Sequence, residues 1–272
     1  MIELRNINKG FDDRIVLENL NYNFYEGNSY ALIGASGAGK TTLLNIIGKL
    51  EEADSGDIIV NDINLNNIKE KDYFKNYLSY LFQNFGLIEN KSIQENLMLA
   101  FVGEKIGKLE KEQKMNEALK RVHLNVKLNR KIYTLSGGEA QRVALAKTIL
   151  KDSPIILADE PTASVDQKNS EEIIELILSL KKENKIIIIA THSPDIYNKV
   201  DHILEIKGGR HPIVETLIPS GTYVKNDIIL DDKNNLIILL CRCFHSLPYQ
   251  FVVGIDKVYY LLVVFRVLVA HS

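Results

Sequence analysis

The chain has 272 residues, a formal charge of −2 and 46% hydrophobic residues, enough to bury a sizeable core in one large or two small domains. A pI near 6.3 argues against a nucleic-acid binder that works by neutralising phosphates, and short basic stretches such as Lys127–Lys131 and Lys181-Lys182 are mixed with apolar residues and read as solvated faces. The start, Met1-Ile2-Glu3-Leu4-Arg5-Asn6, lacks the apolar stretch of a secretory signal, and no run of about 20 uncharged apolar residues occurs before residue 210, so this region is expected to be soluble.

Ile2–Ile7 and Leu17–Phe24 are predicted to pair as antiparallel strands. In the second, Leu17, Leu20, Tyr22 and Phe24 alternate with Glu18, Asn19, Asn21 and Asn23, the pattern of a half-exposed strand. Tyr30–Ile33 reads as a strand running into Gly34-Ala35-Ser36-Gly37-Ala38-Gly39-Lys40-Thr41, a match to the phosphate-binding loop G-x-x-x-x-G-K-[ST], with helical spacing over Lys40–Ile47 behind it. A helix starting there offers amides without intrahelical partners and the positive end of its dipole. Glycine lets the backbone approach an anion closely, while Lys40 is suited to the outer phosphates and Thr41 to Mg²⁺. The expected ligand is a nucleoside triphosphate with magnesium.

Asp54-Ser55-Gly56-Asp57 predicts a turn before strand Ile58–Val60. From about residue 85 to 150 the composition becomes charged and helix-favouring, with helices expected over Ile93–Phe101, Lys111–Leu124 and Glu139–Leu150, a helical insertion between halves of the sheet. Leu135-Ser136-Gly137-Gly138-Glu139 opens the last of them, and Ser136 and Glu139 have capping-box spacing. Gly137 and Gly138 also leave bare amides that a γ-phosphate can approach. Two such helix starts are redundant for one nucleotide in a monomer, and make sense if the second serves a partner subunit.

Ile155–Ala158 and Ile186–Ala190 are uninterrupted apolar runs, the mark of strands buried on both faces, and the patterned segment Ser170–Lys182 between them completes a parallel βαβ unit. Asp159 and Glu160 follow the first run. Successive strand side chains point to opposite sides, so Asp159 is assigned to the metal, by way of water, and Glu160 to the general base. Val200–Ile206 is expected to be an edge strand.

Gly34–Thr42, Gln83, Leu135–Glu139 with Gln141-Arg142, Ile155–Glu160, Ser164-Val165-Asp166 and Thr191-His192 occur in the order seen in ATP-binding subunits of ABC transporters, which residues 1–210 resemble. The resemblance implies an α/β fold of the P-loop NTPase, ABC ATPase type, with an antiparallel β subdomain and a helical subdomain at about 85–150. It implies a head-to-tail dimer, of two copies or with a paired ABC subunit, holding ATP and Mg²⁺ between the P-loop of one subunit and Ser136–Glu139 of the other. Phe11 would stack on adenine, Gln83 would contact Mg²⁺ and sense a membrane partner, His192 would hold the γ-phosphate, and Asp166 would link the two sites. An integral membrane permease, a separate chain, would dock near residues 85–96 on a subunit peripheral to the inner face of the plasma membrane. No nucleic acid partner is expected.

Leu135–Arg142 and the compact length resemble the exporters of lipoproteins, macrolides and antimicrobial peptides, and Leu81–Ile88 is similar to ATPases exporting lactococcin-type bacteriocins. The alternative is the same ATPase acting through a membrane protein on cell-wall enzymes or peptide sensing. An ABC-type ribosome or DNA-repair factor would need two cassettes or a long coiled coil. Residues 211–272 form an extension with no recognisable motif. Phe251–Ala270 is apolar but carries Asp256, Lys257 and Arg266, each costing about 2.5–3.5 kcal/mol near a bilayer centre, which argues against a membrane helix. Val258–Phe265 is β-prone, and Cys241 and Cys243 form no zinc or disulfide pattern, in keeping with a reducing cytosol.

Overall fold

The computed structural model describes residues 1–208, except Asp13 and Ser164, together with 227–228, 236–241 and 249–254. Its first strands are β1 (Ile2–Phe11), β2 (Arg14–Phe24) and β3 (Ser29–Ile33), followed by helix α1 (Lys40–Ile47), then β4 (Ser55–Val60) and β5 (Ile63–Asn64). Next come α2 (Glu70–Asn76), β6 (Leu78–Leu81), α3 (Ile93–Met98), α4 (Lys108–Arg121) and α5 (Gly137–Lys151). The rest of this unit is β7 (Ile155–Asp159), α6 (Gln167–Ser179), β8 (Ile186–Ala190), α7 (Pro194–Tyr197) and β9 (His202–Glu205).

Two sheets organise these elements. One is parallel, in the order β6-β7-β8-β3-β9, with β9 at its edge; the other is antiparallel, in the order β2-β1-β4-β5. The apolar runs of β7 and β8 reflect burial on both faces. Ile155 and Leu157 of β7 and Ile186 and Ile188 of β8 belong to the core shared with α1 and the antiparallel sheet. Ile156 and Ala158, with Ile187 and Ile189, pack instead among Val143, Leu145, Ile173 and Ile177 of α5 and α6. Alternate side chains of one strand thus feed two cores, which is why no polar residue interrupts it.

The helical region between β6 and β7 is α3, α4 and α5, with short 3₁₀ turns at Leu99–Phe101 and Ile132–Thr134. Helix α4 starts and ends three residues earlier than the sequence pattern predicts, and α5 begins at Gly137, directly after its capping residue Ser136. Strand β4 departs more clearly from expectation, because the predicted turn at Ser55–Asp57 is already strand. Its register skips two residues of β1 between Arg5 and Asn8. Gly56 fits that irregularity at φ +96°, where a Cβ would meet the carbonyl oxygens of Asn6 and Arg5 at 2.4 and 2.6 Å, so the turn-like glycine is a bulge residue. Asn6 in this bulge, and Asn19 in the register irregularity between β1 and β2, also take positive φ, and Asn21 Oδ1 accepts from the Asn6 amide at 2.9 Å.

Beyond β9, strands Lys207–Gly208 and Asp227–Ile228 pair, as do Leu236–Cys241 and Tyr249–Gly254, both antiparallel. The β-prone segment Val258–Phe265 and most of Phe251–Ala270 lie outside the described residues. No helix among the described residues is long and apolar enough to cross a membrane.

Candidate functional site

Residues Gly34–Gly39 join the end of β3 to the start of α1 at the C-terminal edge of the parallel sheet. Gly39 caps the helix in the left-handed region at φ 104°. A Cβ at Gly39 would lie 2.7 Å from Val16 Cγ1, so both conformation and packing exclude side chains there. Lys40 Nζ donates to the carbonyls of Gly34 at 2.8 Å and Ala35 at 3.1 Å, drawing the ammonium back across the loop. A shallow depression beside it is lined by Phe11, Val16, Gly37, Gly39, Lys40 and Thr42. Phe11 is 44% exposed, and Lys9 Nζ stands 5.0 Å from its ring centroid, held by Glu51 and Asp54.

Thr41 Oγ1 donates to Asp159 Oδ1 at 3.2 Å, joining the first turn of α1 to the last residue of β7. Burial raises the Asp159 carboxyl above its ordinary value; the Thr41 hydrogen bond opposes this, and the Glu160 charge adds to it. A hydroxyl and a carboxylate so placed suit Mg²⁺, which takes few protein oxygens and keeps several waters. Among the described residues no group of three or more His, Cys, Asp or Glu could hold a metal by itself. Gln83 is exposed in the turn after β6, two residues past its end.

Asp159 and Glu160 do turn to different partners, for a reason other than strand alternation. Strand β7 ends at Asp159, and Glu160 sits at φ 43°, its amide donating to the Ala190 carbonyl at 2.9 Å. This left-handed step, uncommon for a non-glycine residue, swings its carboxylate toward the loop after β8. His192 Nδ1 lies 2.7 Å from Glu160 Oε1, and Thr191 Oγ1 donates to Oε2 at 3.4 Å. His192 is the open member of the pair, with a side chain 75% exposed against 18% for Glu160. A cleft lined by Glu160, Thr162, Glu171, His192 and Asp195 lies beside them.

The start of α5 faces a different depression, bounded by Ser136, Gly137, Gly138, Arg142, Asp166 and Asn169. It shares no lining residue with the depression at Lys40. The capping box is complete: Ser136 Oγ accepts from the Glu139 amide at 3.3 Å, and a Glu139 carboxylate oxygen accepts from the Ser136 amide at 2.8 Å. Arg130 adds a bond of 2.8 Å to Glu139. Glu139 is therefore engaged within the chain, and the bare amides belong to Gly137 and Gly138. The Ser136 amide, ahead of Arg130, holds the Glu139 carboxyl below its ordinary value. Its contribution to α5 is thus present above the unfolded carboxyl's titration and is lost as pH falls through the lower folded one. Asp166 caps α6, accepting from the Asn169 amide at 3.1 Å.

The sequence pattern missed Arg130, Asn169 and the contacts of Arg142. Asn169 carries a weak signal, standing three residues after Asp166 as a first-turn partner does. Arg130 carries none, since it comes from a loop before the helix it secures.

The sequence profile of the family described as ABC transporter matches residues 17–163. The chain is 36% identical over 222 residues to the phosphonates import ATP-binding protein PhnC of Fusobacterium nucleatum, covering 77% of this chain and 90% of PhnC. It is 34% identical over 214 residues to the macrolide export ATP-binding/permease protein MacB of Campylobacter jejuni, covering 77% of this chain but 33% of MacB. Its fold is similar to the dimeric post-hydrolysis state of the ATP-binding cassette MJ0796 from Methanocaldococcus jannaschii, bound to ADP and Pi. That likeness has a TM-score of 0.70 at 32% identity and covers 76% of this chain and 94% of that one.

Proposed function

Starting from a chain that belongs to the ABC transporter family as an ATP-binding ATPase subunit, we propose that two subunits close head to tail on ATP and drive export through a separate membrane permease. The ATPase unit is residues 1–210, with its helical subdomain at about 85–150, and 211–272 is an extension. One observation carries the dimer: the phosphate-binding loop and the glycine-led start of α5 open into separate depressions with no shared residue. Each is an anion site lacking its other half, and head-to-tail pairing completes both.

In this reading Gly34–Thr42 wrap the phosphates and Lys40 moves from the loop carbonyls to the outer phosphate oxygens. Phe11 stacks on the base. Thr41, Asp159 and Gln83 would hold Mg²⁺, which supplies positive charge against the phosphate oxygens when bound. Glu160 takes the proton of the attacking water, His192 steadies the γ-phosphate, and Ser136, Gly137 and Gly138 of the other subunit bind it from the far side. Hydrolysis removes the bridge between the subunits, and they part.

The permease docks beside residues 85–96. Asn96, fully buried, fixes this stretch by accepting from the Ile88 amide at 2.7 Å and donating to the carbonyls of Ile88 and Ser92. Next to it lies an apolar groove with a basic rim, in which Phe82, Leu99 and Val102 are exposed beside Lys75, Lys147 and Lys151. Gln83 shares its turn with Phe82, so docking there can reach the nucleotide. Export of a peptide, lipoprotein or drug follows the likeness to MacB; the comparable likeness to PhnC makes direction a property of the permease.

Two variants test the head-to-tail arrangement. Lys40→Ala and Gly138→Asp, each alone, should fail to form ATP-dependent dimers. Mixed, they should form heterodimers with one intact composite site, read by light scattering with one variant labelled. Absence of mixed dimers, with Gly138→Asp still binding ATP, would refute the arrangement. A chain ending at Arg210 should keep the thermal stability and nucleotide affinity of the full chain. A lower melting temperature would show that the extension covers core surface.

A further inference from the structure

Arg142 is buried in α5, only 6% exposed, and its guanidinium joins three segments. It donates to the Val122 carbonyl at the end of α4 at 2.8 Å, to Asn169 Oδ1 at 3.0 Å and to Glu172 Oε2 at 2.7 Å. Asn169 passes the connection on, since its side-chain amide donates to Asp166 Oδ2 at 2.7 Å. Asp166 stands six residues after Glu160, and Arg142 lies in the helix that Ser136 caps. Hydrogen bonds therefore run from Asp166 through Asn169 to Arg142 in the helix that the glycine-led start opens, with Asp166 close along the chain to Glu160.

We infer that Arg142 and Asn169 are positioning residues that hold Asp166 against the start of α5, so that the two half-sites of one subunit move together. The inference rests on the head-to-tail dimer proposed above. The guanidinium suits this task because one planar fork presents donors in several fixed directions. An ammonium is a single point of charge and cannot span α4 and both α6 acceptors. Asn169 is the informative position: replacing it by Ala leaves Arg142 paired with Glu172 and Val122, and leaves the backbone cap of α6 by Asp166 intact. Only the link between Arg142 and Asp166 is cut.

The test uses the full chain carrying Glu160→Gln, with and without Asn169→Ala, and with Arg142→Lys as a second variant. Expected for Asn169→Ala is an unchanged melting temperature and an unchanged affinity of the monomer for ATP, with at least tenfold faster dissociation of the ATP-bound dimer. With Glu160 intact, any ATPase activity should lose about 10- to 100-fold in kcat at unchanged KM, the cost of slight misplacement of reacting groups, a split that general destabilisation does not produce. Dimers of Glu160→Gln that dissociate at the same rate with Asn169 or Ala would overturn the inference while leaving the dimer standing. Failure of Glu160→Gln itself to dimerise would overturn the underlying reading and the inference with it.

Discussion

Glu160→Gln should bind ATP as the native chain does, lose turnover by about 10²–10⁴-fold, the contribution of a general base, and accumulate as an ATP-bound dimer. The side chain keeps its shape, and its amide oxygen can still accept from His192, which lies 2.7 Å away in the native pair. What it cannot do is take a proton from water. Glu160 approaches the site through backbone that no substitution at its own side chain need disturb, because its amide is held by Ala190. The change also acts on its neighbour. The Glu160 charge contributes to the raised titration of Asp159, so removing it lowers the Asp159 carboxyl and favours the ionised form that a cation requires. ATP should therefore bind no more weakly than to the native chain. Light scattering after size exclusion, with ATP and Mg²⁺ and without, reads the outcome. Native turnover in the variant would remove Glu160 from the role of base. A monomer despite measured ATP binding would overturn the closure of two of these subunits on ATP.

The candidate site residues were legible because short patterns preserve the chemistry they are proposed to supply. Glycines with Lys40 and Thr41 recur where a phosphate needs amides, and burial of Ile155–Ala158 on both faces demands an unbroken apolar run. The geometry joining them was less legible. Strand alternation correctly separates Asp159 from Glu160, yet the separation arises from a left-handed backbone step at Glu160, which the chain imposes through tertiary contacts that no local preference signals. Gly56 reads as a turn residue because turns and bulges need the same positive φ. Arg142 was visible beside the glycine motif, but its partners Val122, Asn169 and Glu172 come from two other helices. The capping glutamate shows the reverse case. Its spacing from Ser136 marks it as a residue of the motif, while Arg130 and the Ser136 amide bind it within its own chain.

Lys40→Ala should abolish the cycle earlier than Glu160→Gln, at nucleotide binding itself. The Lys40 ammonium now donates to the carbonyls of Gly34 and Ala35, acceptors that carry only partial charge. Exchanging these for phosphate oxygens replaces neutral acceptors with ionised ones. A hydrogen bond between charged groups contributes about 1.5–3 kcal/mol, so loss of the lysine should weaken ATP binding by about 10- to 150-fold. The loss should be larger for ATP than for ADP, because the amides of the loop remain and it is the outermost phosphate that loses its cation. Lys40→Arg is not a conservative rescue, since a planar fork does not fit where one ammonium reaches back over two adjacent carbonyls. Calorimetric titration of ATP and ADP into Lys40→Ala decides between the roles. Equal weakening of both nucleotides would assign Lys40 to the inner phosphates, and unchanged affinity for both would leave it as a brace of the loop.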